Sequence, residues 1–380
     1  MSVVTTDDEL ADFRKLCRDF VAKEVAPHHA QWERDGICPR EVWLRAGASG
    51  LLGWEIDEKH GGAGISDFRF NAALVHELFR QSLTGPGFGL HNDIAIPYFM
   101  KLANEQQKSR WFPRFVTGEL ITAIAMTEPG TGSDLQGIRT QAVPVADGWI
   151  LSGQKTFITN GILGDVVIVV ARTDPLAGSR GFSLLVVEQG MAGFSRGRNL
   201  EKVGVHAQDT AELYFDNVAV PRENLLGEEG KGMTYLMQNL PQERLTIGVQ
   251  AVASMEGVFE DTLRYCKERE AFGQPIGSFQ HNKFLLAELA TEIKVARTFL
   301  DDAIAAHVAG ELTPEHAAMV KWWLAEKQQH IVSRCFQLHG GYGYMAEYSV
   351  ARHWADARIQ TVYGGTTEIM KEIIGRSLGL

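Results

Sequence analysis

The stretch Ala125-Met-Thr-Glu-Pro-Gly-Thr-Gly-Ser-Asp-Leu-Gln-Gly137 follows an apolar run, Leu120 to Met126, and precedes an alternating segment from Arg139 to Val145. Three glycines, one proline and five hydroxyl or carboxylate side chains cannot continue a helix or a strand, so the segment is a loop. Gly130 and Gly132 permit backbone torsions and close approaches that other residues forbid. Exposed N–H groups, with the hydroxyls of Thr127, Thr131 and Ser133, suit a pyrophosphate or the edge of a flavin ring. A plain polar turn between two strands is the competing reading.

On either side of this loop the chain changes texture. Upstream, Leu10, Phe13, Leu16, Phe20 and Val21 recur at three- and four-residue spacing, which predicts a helix over residues 7–33. Pro39 starts a short helix, Asp67 caps another running to about Gln81, and a further helix covers Asn92 to Leu102. Pro113 should break the amphipathic piece Glu105 to Val116. His91, Asn92 and Asp93 read as surface or capping groups. Downstream, Ala142–Val145, Trp149–Ser152, Asp165–Ala171, Phe182–Val187 and Ala211–Phe215 are short β-branched runs separated by turn residues, the pattern of an antiparallel β domain. Alternation in Gln154-Lys-Thr-Phe-Ile-Thr-Asn-Gly161 puts Phe157 and Thr159 on one strand face, as an aromatic surface beside a hydroxyl or as ordinary core and filler.

After Gly232 helical texture returns. Leu285, Leu289, Ile293, Ala296, Leu300 and Ile304 mark one apolar helix face, and Thr313-Pro314 caps the next helix, to about Leu338. Long helices of this kind build a four-helix bundle. The expected fold is therefore α+β: an N-terminal helical domain (1–119), a central antiparallel β domain (120–230) and a C-terminal helical bundle (231–380). In Leu240-Pro-Gln-Glu-Arg-Leu245, Glu243 reads either as a first-turn acid favoured by the helix dipole or, if buried, as a general base.

Composition narrows the class. A net charge of −10 without basic blocks excludes nucleic acid as a partner. The longest aliphatic run, Val166 to Ala171, is far too short to span a bilayer. Cys17, Cys38, Cys266 and Cys335 form neither a disulfide framework nor a metal site. The acidic opening Met-Ser-Val-Val-Thr-Thr-Asp-Asp-Glu resembles no presequence, so a cytoplasmic location is expected.

The loop at 125–137 resembles the first signature of the acyl-CoA dehydrogenase family, and further matches follow. Arg269-Glu-Ala-Phe-Gly273 with Gln280, Gln337-Leu-His-Gly-Gly-Tyr-Gly343, and Tyr363-Gly-Gly-Thr-Thr-Glu368 resemble three more family segments. The resemblance spans roughly residues 8 to 378. It implies FAD held by Met126, Thr127, Gly132, Ser133, Phe157 and Thr159, with Arg269, Phe272, Gln280, Gln337, Gly340, Gly341, Thr366 and Glu368 completing the site. Phe157 stands where the family usually has Trp. Many members carry their catalytic Glu where this chain has Gly364. In a smaller branch the base lies on an earlier helix, at the position of Glu243, and Leu-Pro-Gln-Glu-Arg-Leu with Ala207-Gln-Asp-Thr-Ala-Glu-Leu213 looks most like the long-chain enzymes.

The resemblance further implies α,β-dehydrogenation of a medium- or long-chain acyl-CoA to a trans-2-enoyl-CoA. Glu243 would take the α proton, a β hydride would pass to flavin N5, and the Gly364 N–H would hold the thioester carbonyl. Ser133, Arg244, Gly364 and Gly365 are the candidate substrate contacts, and Gly85, Gly87 and Gly89 either open a long acyl cavity or are turn glycines. A homotetramer and reoxidation by electron-transfer flavoprotein are also implied. An acyl-CoA oxidase, or a non-catalytic acyl-CoA or acyl-carrier binding protein, is the alternative on the same scaffold.

Overall fold

The computed structural model describes residues 5–380. Helix α1 (Asp7–Phe20) begins at a reciprocal cap between Thr6 and Glu9. A π-helical turn, Val21–Val25, joins it to α2 (Ala26–Asp35). The buried face of α1 is Leu10, Cys17 and Phe20, whereas Leu16 is exposed. A four-residue step from Phe13 to Cys17 follows the 3.6-residue period where Leu16 was expected inward. Pro39 stands at the start of α3 (Arg40–Ala48) without a side-chain cap, and Asp67 accepts from the Arg69 N–H to cap α4 (Phe68–Phe79).

A second π-helical turn, Leu90–Ala95, leads into α5 (Ile96–Leu102). Helix α6 (Glu105–Val116) runs through Pro113 without the expected break. Pro113 and Ser109 both face solvent, so water can serve the Ser109 carbonyl that the missing N–H leaves free.

The middle of the chain forms an eight-stranded sheet of β1 (Thr122–Ala125), β2 (Gln141–Val145), β3 (Gly148–Thr159), β4 (Val166–Arg172), β5 (Phe182–Glu188), β6 (Phe194–Asn199), β7 (Thr210–Pro221) and β8 (Leu225–Leu226). Its order is β6-β7-β3-β2-β4-β5-β8, with β1 paired to β4. The sheet is antiparallel as expected through most of its pairs, with two parallel exceptions: β1 runs parallel to β4, and a single parallel bridge joins β2 and β4. A parallel pair needs a long crossover, and here the connection carries the loop after Ala125 and the β2–β3 hairpin. The loop therefore leaves the sheet from a strand buried on both faces.

Helix α7 (Gly232–Glu268) opens the C-terminal part and is followed by a small hairpin, β9 (Glu270–Ala271) and β10 (Gln274–Pro275). Then come α8 (Gln280–Val308), α9 (Pro314–His339), α10 (Ser349–Ala357) and α11 (Thr367–Ser377). Leu285, Leu289, Ile293, Ala296 and Leu300 of α8 are buried in the core shared with α7 and α9. That same core takes Phe68 and Val75 of α4, so α7 lies between the first helices and the bundle.

The crossing of α4 and α7 is close. A Cβ on Gly257 would lie 1.6 Å from the Arg80 carbonyl oxygen, a backbone atom that cannot rotate aside. Gly257→Ala is expected to cost roughly 1–3 kcal/mol or more, read as a lower thermal midpoint in calorimetry. An unchanged midpoint would show that the crossing relaxes freely.

Candidate active site

Glu243 is not a first-turn acid. Helix α7 starts at Gly232 and continues past Pro241, so the dipole at its N-terminus does not reach Glu243. The N–H that Pro241 lacks would have bonded the carbonyl of Met237, a half-exposed residue. Glu243 is 6% exposed, and its Oε1 accepts a 2.8 Å hydrogen bond from Tyr98 Oη. Burial pushes its pKa up to about 7, against the opposing pull of Tyr98, Arg244 and Lys101. Such a carboxyl is poised to accept a proton near neutrality.

The closing turn meets the same face of α7. Gly364 and Gly365 adopt φ of +66° and +98°, a left-handed backbone natural to glycine. A Cβ on Gly364 would lie 2.4 Å from Cδ1 of Ile247, which stands one helical turn beyond Glu243. Two buried cations hold the turn from below. Arg244 Nε donates to the Gly364 carbonyl at 3.4 Å and Lys321 Nζ to the Gly365 carbonyl at 2.6 Å. Burial, followed by the neighbouring Arg244 charge, lowers the Lys321 pKa to about 8. Arg244 thus serves the turn rather than pairing side by side with Glu243. Thr366 caps α11 by accepting from the Ile369 N–H, and Glu368 lies exposed in that helix's first turn, which gives both residues a local structural role.

Of the three glycines weighed as cavity formers, Gly85 and Gly87 are packing residues. A Cβ on Gly85 would lie 2.7 Å from Cys38 Sγ, and one on Gly87 would lie 2.1 Å from Asn160 Oδ1. Gly89 has ordinary room, its nearest neighbours being Asp93, Val75 and Gln250.

His91, Asn92 and Asp93 correct the expectation of surface groups, because all three are buried. His91 Nδ1 and Thr122 Oγ1 are 2.8 Å apart; Asn92 bonds the Gly53 N–H and the Leu51 carbonyl. Asp93 accepts from Asn71 at 2.8 Å and from Thr246 at 3.3 Å, and burial raises its pKa to about 7. The wide π turn brings these polar groups inward, a feature that propensity does not announce.

Loop 125–137 is anchored by a pair that sequence reasoning missed. Lys155, fully buried in β3, donates to the Met126 carbonyl and to Glu128 Oε1, each at 2.9 Å. Glu128 also accepts from the N–H groups of Arg139 and Thr140. Burial would raise the Glu128 pKa, but Lys155 and these donors bring it below the usual carboxylate range. A lysine at an inward strand position opposite a loop glutamate was the available signal.

Phe157 sits at an irregularity in the β3–β7 register with φ +60°, and is 68% exposed. Thr159 is half-buried, and Ile158 between them is buried, so both flank the open side. Met126 and Thr127 are half-buried nearby through the Thr156 N–H to Thr127 carbonyl bond; Gly132 and Ser133 are exposed. A Cβ on Gly130 or Gly132 would meet nothing within 4 Å.

The remaining candidates gather elsewhere. Arg269, Gln337, Gly340 and Gly341 line a cleft of about 500 Å³ with Tyr265 and Tyr342. An adjoining cleft of about 410 Å³ shares Gln337 and takes Phe272, which is 96% exposed at the hairpin tip. Gln280 begins α8 between Phe279 and His281, both of which line that second cleft.

Open glycine faces, outward aromatics and a loop rich in donors fit a large, flat, phosphate-bearing cofactor such as FAD. Comparison with known proteins agrees. The acyl-CoA dehydrogenase N-terminal domain matches residues 7–119, its middle domain 123–218 and its C-terminal domain 230–379. The chain belongs to the acyl-CoA dehydrogenase family.

The enzyme is 50% identical over 368 residues to the long-chain specific acyl-CoA dehydrogenase, mitochondrial, of Sus scrofa, covering 96% of this chain and 85% of that one. Its fold superposes on an acyl-CoA dehydrogenase from Geobacillus kaustophilus with a TM-score of 0.96 at 49% identity over 100% of both chains. The butyryl-CoA dehydrogenase of Megasphaera elsdenii gives 0.92 at 33% identity, again over 100% of both. This acyl-CoA dehydrogenase is an FAD-dependent oxidoreductase. Among the described residues no helix is long and apolar enough to cross a membrane.

Proposed function

We propose that this enzyme dehydrogenates a medium- or long-chain acyl-CoA between its α and β carbons, with Glu243 as the base. The observation that supports it is the buried Glu243 on the α7 face that also packs the Gly364 turn through Ile247. Glu243 removes the α proton. The Gly364 N–H donates to the thioester carbonyl and stabilises the developing enolate charge. Bound FAD supplies the hydride acceptor. Met126, Thr127, Gly132, Ser133, Phe157 and Thr159 hold one part of it, and Arg269, Phe272, Gln280, Gln337, Gly340, Gly341, Thr366 and Glu368 serve the other, across a subunit boundary in a homotetramer. The exposure of Phe272 and Arg269 supports that division. Ser133, Arg244 and Gly365 would contact or orient the substrate. Electron-transfer flavoprotein is the proposed acceptor. All four cysteines are buried and free, in keeping with a reducing, cytoplasmic setting.

The test is an anaerobic absorbance titration of the yellow enzyme with straight acyl-CoAs of graded length. Loss of the oxidised flavin band with medium and long chains is expected. No bleaching by any acyl-CoA would overturn the reading. The base must be ionised to act, so kcat/KM should rise with pH through about 7, the value to which burial brings Glu243. A flat profile across roughly pH 5.5 to 8.5 would contradict this.

A further inference from the structure

Four residues of α7, Asn239, Gln242, Glu243 and Thr246, fall at helical spacing on one face. Each is hydrogen-bonded to a single short segment, Asp93 to Lys101. Lys101 Nζ donates to Asn239 Oδ1 at 2.7 Å, and Gln242 Nε2 to the Asp93 carbonyl at 2.9 Å. Tyr98 Oη donates to Glu243 Oε1 at 2.8 Å, and Thr246 Oγ1 to Asp93 Oδ2 at 3.3 Å. Lys101 and Gln242 keep some access to solvent, whereas the bonds of Glu243 and Thr246 are buried, where an unpaired polar group is costly. Tyr98 is fully buried, so its hydroxyl is shielded from bulk solvent. Tyr98 lies in the first turn of α5, after Pro97 and the π turn Leu90–Ala95, and its hydroxyl reaches α7 at Glu243.

We propose that Tyr98 is the positioning residue of the base, holding the Glu243 carboxyl in place through its buried 2.8 Å hydrogen bond; the assignment rests on Glu243 being the base. A carboxylate accepting a buried hydroxyl is stabilised relative to its protonated form, so the bond restrains the rise that burial imposes. The charged groups acting on Glu243 are Arg244 on its own helix and Lys101 on α5. Lys101 also feels Glu55, a half-buried carboxyl raised to about 7 by desolvation and then by the Asp93 charge. Lys101 thus works in the same direction as Tyr98, as a charge rather than a hydrogen-bond donor.

The experiment is a pH profile of single-turnover flavin bleaching by the best acyl-CoA for wild type, Tyr98→Phe, Lys101→Met and Glu243→Gln. Tyr98→Phe preserves the ring and should keep FAD content and the flavin spectrum unchanged. Its acid limb should move to higher pH by about one unit, a tenfold loss on that limb that recovers in alkaline buffer. Lys101→Met should shift the limb the same way through its charge alone. If Tyr98→Phe fails to fold, the infrared difference between wild type and Glu243→Gln in acid buffer decides: a Glu243 carboxyl stretch at the hydrogen-bonded position supports the role of Tyr98, and one at the free-acid position overturns it. A limb that stays in place while the rate falls equally at every pH would overturn the role of Tyr98. Bleaching by Glu243→Gln at the wild-type rate would instead sink the assignment of the base.

Discussion

Replacing Glu243 by Gln is expected to lower turnover at least about a thousandfold, the scale of a lost general base, while FAD stays bound. Gln is nearly isosteric and its amide oxygen can still accept from Tyr98, so the fold has no reason to shift. Stability should move the other way. The folded pKa of Glu243 lies above the unfolded value of 4.5, so the stabilising contribution is present below that value and is lost as pH rises through about 7. The Gln variant has no charge to bury. Its stability should match wild type near pH 5 and exceed it at about pH 8, by as much as about 3 kcal/mol. Paired denaturant titrations and steady-state assays at both pH values would measure this. Retained turnover would remove Glu243 from the mechanism, and equal stabilities in the alkaline buffer would show that the site tolerates the charge.

Lys155→Met is expected to have the largest structural effect near the cofactor. It removes the ammonium from Glu128 and from the Met126 carbonyl and leaves a buried carboxylate with only the Arg139 and Thr140 N–H groups. Stranding one member of a buried pair costs on the order of 3 kcal/mol. Because Met126 and Thr127 begin the loop assigned to FAD, the variant should also lose flavin on gel filtration. Calorimetry and the absorbance ratio of flavin to protein read the two effects separately. A Lys155→Met protein as stable and as yellow as wild type would show that the pair is dispensable. The double change Lys155→Met with Glu128→Gln should recover part of the loss, since no charge is then stranded.

The helix–sheet–helix order was legible because it rests on local signals. Periodicity marked α8 through Leu285 and Leu289, and Thr313-Pro314 announced α9. Glu243 and the Gly364 turn were legible through their flanking residues. Other features were not, because they depend on what a side chain meets across the fold. Tyr98 and Glu243 are separated by 145 positions. Asp93 looked like a surface acid until a π turn brought it against α7. The same limit explains Pro113, whose break was waived because the freed carbonyl faces water.

The seam between α5 and α7 has a consequence for how the enzyme can be assembled and divided. The proposed base is carried by the later helical region of the chain, yet the hydroxyl that orients it comes from the first. No fragment ending between them carries a complete acid–base unit, even if it folds. Proton abstraction therefore reports on the docking of the two helical regions, and a lesion far from substrate that loosens this joint would present as a purely catalytic defect.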